Sequence, residues 1–151
     1  MLRIAFPVEI ARPVDEVFAY VTDPARLPEW QDTTLSVTQE PEGPLREGTR
    51  LRERRRGPFG REVESVVEVS RYERNRAFDL HIVDGPLPID GAHRFSDVDG
   101  STRIDFEAAG ELPRALRPLS PLLGRLMRRQ FGAYYRRLKE NLEGGAFPPT
   151  G

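Results

Sequence analysis

Three polar side chains fall in the inward phase of runs that otherwise read as β-strands: Glu53, Arg55 and His93. In residues 49–56, Leu51 is the only apolar residue and sets that phase. Glu53 and Arg55 then point inward, and Arg50, Arg52, Arg54 and Arg56 point out. In residues 89–95 the apolar ends place His93 inward and Arg94 outward, whereas Phe78, Leu80 and Ile82 place His81 outward. An imidazole titrates near neutral pH and can serve as general acid or base. An arginine can hold an enolate or carboxylate, and a glutamate can orient either group. The set would suit cyclisation, dehydration or isomerisation of a carbonyl compound. The structural alternative is an ion pair at the rim of a sheet, with His93 bonded to backbone. A bulge in residues 49–56 would invert the assignment.

Other residues could line a cavity. Val63, Val67 and Val69 place Ser65 inward, and Gln130 and Tyr134 reach in from a helical stripe. Trp30, Leu51, Phe78, Phe106, Met127 and Phe131 would supply an apolar wall, with ordinary core as the alternative for each. A few polar groups in an apolar cavity are what orient a ligand.

Several chemistries are disfavoured. The 151 residues contain no cysteine, which excludes disulfides, thiolate catalysis and cysteine-ligated metals. No metal site is expected, because the two histidines fall on opposite faces of the sheet, and no cofactor is expected either. No phosphate-binding glycine loop precedes a helix, and no Gly-x-Ser-x-Gly elbow occurs. The run from Arg52 to Arg56 invites a nucleic-acid reading. Glu53 interrupts it, however, and the formal net charge is -1, so nucleic acid is not an expected partner. Lys139 is the only lysine, which leaves 22 arginines. Mean hydropathy is -0.55 and no apolar run approaches a membrane span, so a cytoplasmic domain without stable membrane insertion is expected.

The elements that must position these groups follow from periodicity. Leu2, Ile4, Phe6, Val8 and Ile10 alternate as in a half-buried strand. After Pro13, Val14, Val17, Phe18 and Val21 fall on one helical face. Residues 25–30 form a second short helical turn, interrupted at Pro28. About six strands follow, punctuated by turn clusters at residues 41–44, 57–60, 84–86 and 97–100. One of these strands starts at Asn75. Ser120 and Pro121 read as N-cap and first residue of a long helix, closed by Gly144 and Gly145. On it Leu116, Leu119, Leu123, Met127, Phe131, Tyr134, Leu138 and Leu142 share one side, with Arg125, Arg128, Arg129, Arg136 and Lys139 opposite. The expected fold is α+β: a curved antiparallel sheet of about seven strands gripping one long C-terminal helix.

The segment from Ile10 to Pro24, ending in Pro28, Glu29 and Trp30, resembles the opening of the START-like or SRPBCC superfamily. Its polyketide cyclase/dehydrase-like branch is the most similar. Gly48 with Thr49, the turn at Asp99 and Gly100, and the final helix fit the same pattern. The resemblance implies a helix-grip domain over residues 1–143, followed by a flexible tail at 144–151. It implies a cavity for a small hydrophobic or amphipathic molecule that is lipid-, polyketide- or isoprenoid-like. Two rivals stay open: a cyclase or dehydratase acting in that cavity, and a protein-interaction module of the ribosome- or quinone-associated type. The sheet edges are compatible with a homodimer.

Overall fold

A computed structural model describes residues 1–57, 60–85 and 87–144. Pro58, Phe59, Pro86 and residues 145–151, which include most of the expected tail, lie outside the described residues.

Strand β1 (Leu2–Ile10) is followed by helix α1 (Val14–Val21), which buries Val17, Phe18, Tyr20 and Val21. A 3-10 turn (Pro24–Arg26) is capped by the Asp23 carboxylate, which accepts from the Ala25 N–H at 3.0 Å. It leads into α2 (Leu27–Trp30). Pro28 lies in the first turn of α2, where its missing N–H would have no partner in any case, so it does not interrupt the element. Six strands follow: β2 (Thr34–Glu40), β3 (Arg50–Arg56), β4 (Glu62–Glu73), β5 (Ala77–Asp84), β6 (Ile89–Val98) and β7 (Ser101–Gly110). Asn75 does not open a strand; it occupies the turn between β4 and β5 at φ 62°, a conformation asparagine tolerates.

All neighbours pair antiparallel, in the order β1-β7-β6-β5-β4-β3-β2, which leaves β1 and β2 as edges. The turn between β6 and β7 has two residues, Asp99 at φ 53° and Gly100 at φ 88°. Two positive φ values in a two-residue loop match the strand twist, and Asp-Gly supplies them cheaply.

Helix α3 (Ser120–Glu143) runs out of a second 3-10 turn, Arg114–Leu119. The N-cap position is therefore Leu119, not Ser120, and no side chain caps the helix. The two halves of α3 differ. The second buries Tyr134, Tyr135, Leu138 and Leu142. It is also strapped to its surroundings: Arg137 and Asn141 donate to the Glu29 carbonyl, and Arg12 donates to that of Leu142. Among the described residues no side chain of residues 120–130 makes a hydrogen bond. The first half approaches β1 at Gly124, where a Cβ would come within 3.1 Å of Leu2 Cδ1. Leu119, expected in the apolar stripe, is instead exposed.

The sheet, α1, α2 and the second half of α3 enclose one apolar core. This is the helix-grip architecture expected from the order of elements.

Candidate ligand-binding site

The strand registers lay two rows of side chains across the concave face. The first is aromatic: Tyr72 on β4 pairs Phe78, Phe78 pairs His93, His93 pairs Phe106, and Phe106 pairs Phe6 on β1. The second is short and polar: Val37 pairs Glu53, and Glu53 pairs Ser65 on β4. A bulge between Val69 and Arg71 resets the phase of β4, so Ser65 and Tyr72 both face inward although they are an odd number of steps apart. At about 3.3 Å per residue, the seven steps between Ser65 and Tyr72 put the rows roughly 20 Å apart along that strand. The inward trio is accordingly divided. Glu53 and Arg55 stand together, and His93 belongs to the other row.

His93 is buried, with the rings of Phe78, Phe95, Phe106 and Tyr135 at centroid distances of 5.2 to 6.1 Å. Its Nδ1 lies 3.1 Å from the Phe78 carbonyl oxygen. A carbonyl only accepts, so Nδ1 carries the proton and donates. The neutral ring then has its lone pair on Nε2, which accepts from the Tyr135 hydroxyl. Burial lowers the imidazole pKa to about 4; the Phe78 bond and the charge of Asp79 oppose the shift only in part. Burial also raises the Tyr135 hydroxyl well above its ordinary value. Both groups are uncharged at neutral pH, and both are satisfied within the protein. Tyr135 was absent from the expected site. Its signal lies in the stripe Phe131, Tyr135, Leu138 and Leu142, spaced four, three and four residues apart.

The polar row opens toward solvent. Glu53 is 2% exposed and its carboxylate is held by Arg55, whose side chain is 32% exposed. Arg55 Nε donates to Glu53 Oε2 at 2.9 Å, and Nη2 lies 2.8 Å from the same oxygen and 3.4 Å from Gln31 Oε1. Tyr134 bonds the Thr33 hydroxyl. Burial raises the Tyr134 pKa, with the Thr33 bond and Arg55 acting against it and Asp32 and Glu53 adding to it. The loop of Gln31, Asp32 and Thr33 thus joins Arg55 to Tyr134. No periodicity marks a loop, so the sequence did not single these residues out.

Beside this cluster lies an open groove of about 430 Å3, lined by Asp32, Leu126, Met127, Arg129, Gln130, Ala133 and Tyr134. Gln130, expected inside the helical stripe, is exposed and stands at the groove's edge. Met127 and Phe131 are only half-buried, while Leu51, Ser65, Phe78 and Phe106 are buried. Trp30 is buried against Tyr135, ring centroids 5.2 Å apart, and its Nε1–H has no hydrogen-bond partner among the described residues. On the opposite sheet face His81 is exposed and bonds Asp90 at 2.8 Å.

A sheet gripping a long helix, with half-buried apolar side chains beside a polar cluster, defines a START-like domain. The chain belongs to the family described as polyketide cyclase/dehydrase and lipid transport, whose model matches residues 1–143. Among solved structures it resembles TTHA0849 from Thermus thermophilus, at TM-score 0.78 and 18% identity over 95% of this chain and 99% of that one. It also resembles the di-domain ARO/CYC StfQ from the steffimycin biosynthetic pathway, at TM-score 0.80 and 14% identity. That match covers 96% of this chain and 51% of StfQ. A third likeness is the protein Ara h 8.0201, at TM-score 0.66 and 13% identity over 93% of this chain and 97% of that one. At these identities the likenesses show the fold. No curated protein matches the sequence.

Proposed function

We propose that the protein binds a small amphipathic molecule between the sheet and the first half of α3. The apolar body lies along Met127 and Phe131, and the polar end meets Arg55 and Tyr134. The observation that carries this reading is the contrast within α3. Its second half is packed and strapped, while its first half leaves apolar side chains half-buried beside an open groove. Burial of the ligand's apolar area would supply affinity at about 25 cal/mol per Å2. The Arg55 guanidinium and the Tyr134 hydroxyl, which stays protonated, would fix orientation.

The test is titration of the protein with 8-anilinonaphthalene-1-sulfonate, followed by displacement with a long-chain fatty acid, a polyprenyl phosphate and a hydroxyanthraquinone. Saturable binding that Met127→Lys abolishes supports the reading. Binding that does not saturate, or that ignores Met127→Lys, overturns it.

A cyclase or dehydratase acting in the same site is the second reading. It is favoured by a cation and a phenol joined through the loop of Gln31, Asp32 and Thr33, which could together stabilise an enolate oxygen. His93 has no part in it, because its lone pair is already taken by Tyr135. Turnover of a poly-β-ketone by the wild type, lost in Tyr134→Phe, would separate the enzyme from the carrier.

A further inference from the structure

Leu119, Leu122 and Leu126 are 48%, 52% and 53% exposed. Leucine is among the residues most often buried, so three exposed together need a reason. They stand at i, i+3 and i+7 where the 3-10 turn runs into α3, and so form one stripe. At 100° per residue, Arg125 and Arg129 border that stripe on one side, with Arg128 further round. The half-buried Leu123 and Met127 border it on the other.

The charge around the stripe is as one-sided as its apolarity. Residues 112–139 hold eight basic residues and no acidic one, in a chain whose formal net charge is -1. Arginines of the sheet are commonly neutralised in place, as in the pairs of Arg3 with Glu107, Arg50 with Glu68, Arg54 with Glu62 and Arg94 with Asp79. Among the described residues none of Arg114, Arg117, Arg125, Arg128 and Arg129 is in an ion pair.

We propose that this end of α3 docks the protein reversibly on an anionic lipid surface. Exposed leucines beside unpaired arginines are the composition of a helix that lies in a membrane interface. The arginines meet anionic headgroups and the leucines enter the acyl boundary. A nucleic acid would use the arginines and waste the leucines; a neutral apolar partner would do the reverse. The geometry adds a consequence. Leu126 belongs both to the stripe and to the groove lining, so a docked protein turns its groove toward the bilayer. A ligand could then pass from lipid to groove without crossing water. That consequence rests on the ligand reading; the docking does not.

The test is vesicle flotation with phosphatidylcholine alone and with phosphatidylcholine containing phosphatidylglycerol. Two variants, Leu119→Ser/Leu122→Ser and Arg125→Glu/Arg128→Glu, change exposed side chains that do not line the groove. Anilinonaphthalene binding in solution should match wild type in both, so failure of docking and failure of the ligand reading are told apart. The wild type should favour the anionic vesicles by about tenfold or more, and each variant should lose about that much. Salt at about 0.5 M should release the protein. Equal binding to both vesicles, no binding to either, or a leucine variant that binds like wild type overturns the proposal. So does gel filtration showing a wild-type dimer that Leu119→Ser/Leu122→Ser dissolves, since a second copy would then cover the stripe.

Discussion

The two ends of the concave face carry similar polar chemistry in opposite surroundings. At the aromatic end His93, Tyr135 and the Phe78 carbonyl form a closed chain of donors and acceptors, with rings around the imidazole. At the open end Glu53, Arg55, Gln31, Thr33 and Tyr134 form a cluster whose cation keeps a third of its surface in water. An inward-facing titratable side chain is therefore a poor mark of a site by itself. What separates the two ends is whether the polar groups have spent their hydrogen bonds on one another and whether anything else can reach them.

If the aromatic end is core, a ring packed against four others should matter most to folding. Phe106 touches the rings of Phe6, His93, Phe131 and Tyr135. Phe106→Ala should cost about 3–5 kcal/mol in urea unfolding. A loss under about 1 kcal/mol would mean that this end is loosely packed and is itself part of the cavity.

The imidazole gives a sharper comparison. Its folded pKa of about 4 lies below the ordinary 6.5, so between those values the unfolded chain binds a proton that the folded chain does not. The contribution of neutral His93 is whole above about pH 6.5 and is lost as pH falls toward 4. The loss amounts to about 3 kcal/mol. His93→Phe/Tyr135→Phe removes both partners at once and should flatten this window of the stability curve. A double variant with the wild-type slope would assign the titration to other groups.

At the open end the same logic runs through charge. Arg55→Met leaves Glu53 buried beside no cation and should cost about 2 kcal/mol at neutral pH, whereas Glu53→Gln/Arg55→Met should recover most of that. Both variants should weaken an anionic amphiphile about tenfold or more, since the guanidinium is gone in each. Recovery of stability without recovery of binding is the outcome that sets Arg55 apart from a merely structural ion pair.

Much of the fold was legible in the sequence, because period two and period 3.6 report directly on which face is buried. One leucine sufficed to orient β3, and Leu51 and Glu53 are indeed buried together. What periodicity does not carry is depth along a strand. Glu53 and His93 share a face yet lie in different rows, and only the pairing registers, with the bulge in β4, show it. Helical phase failed where burial depends on what lies opposite. Leu119 has the right angle for the stripe but belongs to the 3-10 turn before α3 and is exposed. The loop residues Gln31 and Thr33 reach the site through the ends of α2 and β2, with no local signal at all.

The smallest effects separate two adjacent side chains. Tyr134 and Tyr135 are consecutive on α3, about 100° apart, and equally buried. Removing either hydroxyl should cost only about 1 kcal/mol of stability, the usual scale of one hydrogen bond. Tyr135→Phe leaves the His93 Nε2 lone pair unsatisfied within a closed core, so its loss should appear entirely in unfolding and not in ligand titration. Tyr134→Phe frees the Thr33 hydroxyl toward a loop that water can reach, so its stability cost should be the lesser of the two. Its effect belongs instead to the ligand: about a tenfold loss of affinity for an amphiphile with a polar end, and little change for a purely apolar probe. If both variants weaken the amphiphile equally, the two rows act as one cavity and the division between them fails. If neither does, the polar row is a structural rim and the ligand lies on the arginine side of α3.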